Sequence, residues 1–158
     1  MLEIENLRVT FGNLQAVSDL SMQVSPGEII TIAGHNGAGK SSVLNAITGI
    51  IRPIKGSIVF KGEEVAHQSS QKIIQKGIVQ IPEGRRILNN LSVRENLLIG
   101  AYRCLPFILN DQKITEIIWQ FPTLIKRLNE NASTLSGGQA QLLALARGLM
   151  AKPILLLL

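Results

Sequence analysis

The stretch Gly34-His35-Asn36-Gly37-Ala38-Gly39-Lys40-Ser41 decides the fold. It matches Gly-x-x-x-x-Gly-Lys-Ser/Thr, the pattern of a phosphate-binding loop, or P-loop. Its glycines allow a tight turn in which successive backbone N–H groups face one concave nest for anionic oxygens. Lys40 supplies a point charge for β- and γ-phosphates, and the Ser41 hydroxyl is a hard oxygen ligand for Mg²⁺. Upstream, Glu28-Ile29-Ile30-Thr31-Ile32-Ala33 is a short apolar, β-branched run that predicts a buried strand. Downstream, Ser42 to Thr48 predicts a helix with one apolar face; Gly49 follows as its C′ residue, and Pro53 prevents continuation. Strand, glycine loop and helix N-terminus together make an anion site strengthened by the helix dipole. The alternative, a chance glycine-rich turn, does not account for Gly-Lys-Ser in this setting. Gly34, His35, Asn36, Gly37, Ala38, Gly39, Lys40, Ser41 and Ser42 are therefore the expected nucleotide-binding residues. Within them His35 occupies a variable position and reads as a loop residue rather than a catalyst.

The chain of 158 residues is long enough for one domain with a core, and 46% hydrophobic against 17% charged residues place it among globular proteins. Its +5 net charge suits a surface that binds phosphates or lies near anionic lipid. No basic cluster is longer than a pair such as Arg85-Arg86, so the basic stripe of a nucleic-acid binder is missing. Cys104 is the sole cysteine, which excludes an intrachain disulfide and a cysteine-cluster metal site and fits a reducing compartment. Met1 to Glu5 is acidic and alternating, unlike a signal peptide, and no apolar run approaches the roughly 20 residues of a membrane span.

Along the chain, Leu2 to Val9 predicts a strand with mostly alternating apolar residues (Leu2, Ile4, Leu7, Val9), then a turn at Phe11-Gly12-Asn13. Ala16 to Val24 predicts one or two further strands, ending at Ser25-Pro26-Gly27. With no helix between them, these strands pair most easily antiparallel. Gly56 to Phe60 is a strand closed by Lys61-Gly62. Ser69 or Ser70 caps a helix through Lys76, with Gly77 at its end, and Ile78 to Ile81 is a strand closed by Pro82. His67 falls in a polar loop and reads as solvated. Ser92-Val93-Arg94-Glu95 has capping-box spacing, and Leu97, Leu98 and Ala101 continue a helical face. Asp111 caps a helix carrying Ile114, Ile117 and Ile118; Pro122 interrupts it, and Leu124, Ile125 and Leu128 add a turn or two. The last helix spans about Gly138 to Met150. After Pro153, the run Ile154 to Leu158 has the character of a strand buried on both faces of a parallel sheet.

Far downstream of the P-loop stands Leu135-Ser136-Gly137-Gly138-Gln139. By itself Ser-Gly-Gly is a common turn before a helix. Followed by Leu142, Leu143, Ala144, Leu145, Ala146 and Arg147 in a chain that carries a P-loop, it resembles the signature of the ATP-binding subunits of ABC transporters. Ser136 and the N–H groups of Gly137 and Gly138 stand at a helix N-terminus, a second anion site. The resemblance implies that this site meets the γ-phosphate held by the P-loop of an opposing subunit, so that two subunits sandwich two ATP molecules.

Further positions match that family. Phe11 in Val9-Thr10-Phe11-Gly12 stands where the family has an aromatic residue that stacks on adenine; Phe in place of the usual Tyr keeps the π-face. A core Phe at a strand end is the alternative. Glu83 in Ile81-Pro82-Glu83-Gly84-Arg85-Arg86 takes the place of the Q-loop glutamine, which meets Mg²⁺ and the attacking water and senses the membrane subunit. As a charged oxygen donor it can still contact Mg²⁺, so Ser41 and Glu83 are the expected metal residues. The Pro-Glu-Gly-Arg-Arg string, Leu91 to Leu97 and Phe121-Pro122 are similar to the ATPases of bacterial branched-chain amino-acid importers. Ser133, where that subgroup commonly has Gly, departs from it, and urea importers carry a similar string.

In the family, the strand that Ile154 to Leu158 resembles is followed at once by the Asp-Glu pair that holds Mg²⁺ and polarises water. This chain ends at Leu158, before both, so no catalytic residue is expected within it. It is expected to hold phosphate weakly without useful turnover, and its last apolar segment is expected to be poorly covered and prone to aggregation.

The expected fold is an α/β P-loop core of ABC type with an antiparallel β portion, a helical subdomain and an incomplete sheet. Residues 1–86 form the core with the P-loop, 87–136 the helical subdomain, and 137–158 the signature helix and the start of the Walker B strand. The resemblance implies ATP and Mg²⁺ as ligands. It implies as partners a second ATP-binding subunit, transmembrane permease subunits and, indirectly, a solute-binding protein, with no nucleic acid. The expected location is the cytoplasmic face of the inner membrane. Rival readings are an inactive fragment that only binds nucleotide, an ABC protein of ribosomes or DNA, and an unrelated P-loop kinase or GTPase.

Overall fold

The computed structural model describes residues 1–84, 86–101 and 111–158 and, for 111–113, the backbone alone. Arg85 and Cys104 lie outside the described residues, as does the Asp111 side chain. The chain divides into two compact units, Met1–Ile74 and Gln75–Leu158.

The first unit is built on an antiparallel sheet of strands β1 (Leu2–Phe11), β2 (Leu14–Val24), β3 (Lys55–Phe60) and β4 (Glu63–Glu64), in the order β2-β1-β3-β4. The spacing of Leu2, Ile4, Leu7 and Val9 jumps by one residue in the middle, and the backbone explains it. The register shifts between Ile4 and Leu7, where Asn6 adopts φ 49° and donates its N–H to Ser21 Oγ at 2.9 Å. This bulge absorbs the extra residue and keeps all four apolar side chains buried. Gly12-Asn13 joins β1 to β2 as expected, with Phe11 paired to Leu14. Lys61-Gly62, both at positive φ, makes the tight connection from β3 to β4 that suits the strand twist.

Helix α1 (Lys40–Ile47) buries Val43, Ala46 and Ile47, and Gly49 follows at φ 70° in the left-handed C′ conformation. Helix α2 (Ser70–Lys76) closes the unit and buries Ile73. One expectation fails here. Glu28 to Ala33 is not a strand: it carries no regular structure, and Ile29 is 95% exposed. A β-branched run becomes a strand only when a neighbour completes its hydrogen-bond ladder. None of the described strands pairs with it.

The second unit pairs β5 (Ile78–Gln80) with β6 (Leu155–Leu157) in parallel, Ile78 opposite Leu155 and Gln80 opposite Leu157. Its helices are α3 (Val93–Gly100), α4 (Asp111–Ile118), α5 (Pro122–Ile125) and α6 (Gly137–Met150). Val93, Leu97, Ile118, Leu124, Leu143 and Met150 belong to their shared core. Pro122 starts α5 at its first turn, where a missing N–H costs nothing. Ser92 and Glu95 form the capping box read from their spacing. A Cβ at Gly100 would collide with the Arg147 carbonyl, so glycine lets α3 and α6 approach closely.

The expectation that Ile154 to Leu158 lies poorly covered needs correction. Leu155 and Leu157 are buried in β6, which has a ladder partner in β5, and on the other face α6 packs against Ile81 and Leu156 at Gly148; Ile154 and Leu158 are exposed. Among the described residues no helix is long and apolar enough to cross a membrane.

Candidate functional site

The P-loop hangs between the turn after β2 and the start of α1. Its shape follows from φ values that L side chains resist: Gly37 lies at 86° and Gly39 at 87°. Gly39 is also the N-cap of α1 and has no side-chain cap bond. A Cβ there would collide with the Ala16 carbonyl of β2, so the loop rests directly on the strand backbone. Lys40 curls back over the loop, where its Nζ donates to the Gly34 carbonyl at 2.7 Å and to the His35 carbonyl at 2.9 Å. The Ala38 N–H closes a further turn on the His35 carbonyl at 3.1 Å.

These bonds hold a cationic head over backbone N–H groups at a helix N-terminus that no side chain caps. That is the donor set a polyphosphate requires. Ser41, in the first turn of α1, is exposed. His35 is exposed, and its Nδ1 lies 2.9 Å from the Asn36 carbonyl, in keeping with a loop role. Phe11 ends β1 and is 49% exposed, which removes the alternative of a core residue and leaves a ring face available.

The second constellation lies in the other unit. Ser136 is the N-cap of α6: its Oγ accepts the Gln139 N–H at 3.4 Å, while Gln139 Oε1 accepts the Ser136 N–H at 3.0 Å. The signature is thus itself a capping box, Ser-x-x-Gln. Gly137 and Gly138 between these anchors are exposed, and a Cβ at Gly138 would meet nothing within 4 Å. Leu135 precedes them after a short 3₁₀ turn, Ala132–Thr134. The capping box was readable from the spacing of Ser136 and Gln139. Arg127, whose Nη1 donates to Gln139 Oε1 at 2.9 Å, carries no such signal, because the contact spans twelve positions.

Glu83 is exposed in the turn after β5, next to Gly84 at φ 78°. The Ile81 N–H donates to the Leu157 carbonyl at 2.9 Å, so this turn leaves the parallel pair at the same edge as the end of β6. Ligand sites of open parallel sheets collect at that carboxyl edge. Among the described residues no group of three or more His, Cys, Asp or Glu could hold a metal ion. The exposed Ser41 hydroxyl is a hard oxygen donor of the kind that Mg²⁺ takes alongside phosphate oxygens. A cleft of about 410 Å³ is lined by Gly84, Arg86, Ile87 and Asn89 on one side and by Ser133, Leu135 and Ala140 on the other.

A scan of known families matches residues 17–158 to the ABC transporter family. The chain belongs to the ABC transporter family. Among curated ABC proteins it is 40% identical to the high-affinity branched-chain amino acid transport ATP-binding protein BraG of Pseudomonas aeruginosa, across all of this chain and 67% of that protein. It is 34% identical to the Nod factor export ATP-binding protein I of Rhizobium etli, across 99% of this chain and 49% of that one. A solved ABC cassette in its ADP conformation superposes with a TM-score of 0.82 at 29% identity, covering 97% of this chain and 65% of the other. The chain thus spans about half to two thirds of these three relatives. The matches bear out the ABC cassette fold, which excludes an unrelated P-loop kinase or GTPase.

Proposed function

We propose that this chain is the nucleotide-binding part of an ATP-hydrolysing subunit that energises a bacterial ABC importer, with branched-chain amino acids as the transported class. The carrying observation is that one chain holds both a lysine-closed P-loop and a serine-capped signature helix. The similarity to BraG supports the substrate class. Urea or another solute is the second reading, since a Nod factor exporter also has a related cassette.

In this reading Lys40 leaves the Gly34 and His35 carbonyls for the β- and γ-phosphates, and the N–H groups at the start of α1 bind the same oxygens. Phe11 stacks on adenine. Ser41 would hold Mg²⁺, which neutralises phosphate charge when bound, and Glu83 is a second oxygen donor by its place in the sequence. Ser136, Gly137 and Gly138 of a second copy cover the γ-phosphate, so the working unit is a pair of ATP-binding subunits. Residues 1–86 act as the core, 87–136 as the helical subdomain, and 137–158 as the signature helix with the Walker B strand. The helical subdomain transmits the motion of the pair to permease subunits at the cytoplasmic face of the inner membrane. A solute-binding protein delivers the cargo to them. ATP binding favours one conformation of the assembly through its higher affinity for that state.

The test is to express the complete subunit with the permease genes beside it and measure solute-stimulated ATP hydrolysis in vesicles. Stimulation by leucine, isoleucine or valine, abolished by Lys40→Ala, is expected. Stimulation by urea alone would transfer the assignment to the second reading. No hydrolysis with any partner leaves a nucleotide-binding remnant.

A further inference from the structure

We propose that Arg127 is a positioning residue for the signature segment, acting through Gln139 rather than on nucleotide directly. The proposal rests on the reading of Ser136 to Gly138 as the segment that meets nucleotide on a second copy.

The guanidinium ties together three places in the chain. Its Nη1 donates to Gln139 Oε1 at 2.9 Å and to the Thr134 carbonyl at 3.4 Å, while its Nε lies 3.3 Å from Glu130 Oε2. Thr134 Oγ1 in turn donates to Glu130 Oε2 at 3.4 Å. The side chain is 31% exposed, so much of its stem is packed. Gln139 Oε1 therefore accepts two donors, Arg127 Nη1 and the Ser136 N–H.

The consequence is geometric. Gly137 and Gly138 have no side chains to hold them, and their N–H directions are set by the residues that bracket them. On one side that is the Thr134 carbonyl, which Arg127 binds. On the other it is the Ser136–Gln139 box, whose amide oxygen Arg127 also binds. Nη1 makes both of these bonds while Nε faces Glu130, and the planar guanidinium fixes the two nitrogens relative to each other, which a lysine ammonium does not. The charge acts in the same direction: a cation beside the N-terminus of α6 adds to the helix dipole and raises the attraction for an incoming phosphate. Glu130 offsets part of that charge from the far side of the guanidinium.

The test is a double-mutant cycle on the full chain with Arg127→Met, Gln139→Met and both together, and with Arg127→Lys and Gln139→Glu as conservative variants. Backbone amide exchange at Ser136 and Gln139 is expected to accelerate about tenfold in Arg127→Met, with Leu143 to Arg147 unchanged, because the box loses its anchor while the helix stays packed. ATP-driven association of two copies, followed by sedimentation in the presence of Mg²⁺, is expected to weaken about tenfold in each single variant and no further in the double one. Binding of ATP itself, followed with a fluorescent analogue, is expected to stay within about twofold. Gln139→Glu is expected to preserve association, because it keeps the acceptor and gains an ion pair; Arg127→Lys is not expected to restore it.

Unchanged exchange at Ser136 and Gln139 in Arg127→Met overturns the proposal whatever association does. Additive losses, or a fall in ATP binding equal to the fall in association, overturn it as well. A wild-type chain that never associates with ATP overturns the cross-copy reading, and with it the role of Arg127, even where the exchange result shows the local geometry to be right.

Discussion

Asn96 is fully buried and binds both backbone polar groups of Leu88: its Oδ1 accepts the Leu88 N–H at 2.8 Å, and its Nδ2 donates to the Leu88 carbonyl at 3.0 Å. The same amide donates to the Ser92 carbonyl at 3.0 Å. One side chain thereby clasps the segment that follows Glu83 onto the first turn of α3. Replacing it with Ala or Leu leaves those groups without a partner and is expected to cost about 2–4 kcal/mol. Denaturant unfolding of the full chain checks this. A loss below about 0.5 kcal/mol would show that solvent takes over the Leu88 groups.

Glu95 gives the capping box at α3 a pH dependence. Hydrogen bonds from the Ser92 backbone N–H and then from the Ser92 hydroxyl lower its carboxyl pKa from the ordinary 4.5. A depressed folded pKa contributes stability that is fully present above the unfolded value and is lost as pH falls through the folded one. The melting temperature of the wild type, relative to Glu95→Gln, should hold steady from neutral pH down to about pH 5 and decline below it. A constant difference down to pH 3 would contradict the assignment.

Gly37 and Gly39 share nearly the same φ but not the same surroundings. A Cβ at Gly37 meets nothing within 4 Å, whereas at Gly39 it would strike the Ala16 carbonyl. Gly37→Ala should cost only the left-handed strain of about 1–2 kcal/mol. Gly39→Ala adds displacement of the loop from β2 and is expected to lower ATP affinity much further. Equilibrium ATP titration of the two variants checks the order.

Phe11→Ala is expected to weaken ATP binding about tenfold through loss of base stacking, while Phe11→Tyr stays within about twofold. Tripolyphosphate binding should be the same in all three proteins. A parallel loss of tripolyphosphate affinity in Phe11→Ala would mean that the ring supports the loop instead of the base.

What was legible in the chain was local. The P-loop geometry follows from three glycines and a lysine within eight residues and the α3 cap from Ser92 and Glu95, while the broken alternation between Ile4 and Leu7 marked a strand without revealing its bulge. In the first two cases the deciding hydrogen bond or φ demand lies within a few residues, so the residue types carry it; the bulge also takes a bond from Asn6 to Ser21, fifteen positions away.

The sequence by itself determined the nucleotide loop, the signature and the antiparallel start of the fold. Tertiary structure decided the rest, because non-local partners have no spacing rule. Glu28 to Ala33 has a strand's composition, yet it forms none where no described strand completes its ladder. Leu155 and Leu157 lie in a strand whose ladder partner, β5, comes from more than seventy residues back in the chain. Gln139 was visible as the last residue of a motif; only folding brought Arg127 to it across twelve positions and made its amide oxygen the joint between the signature and the α5 turn.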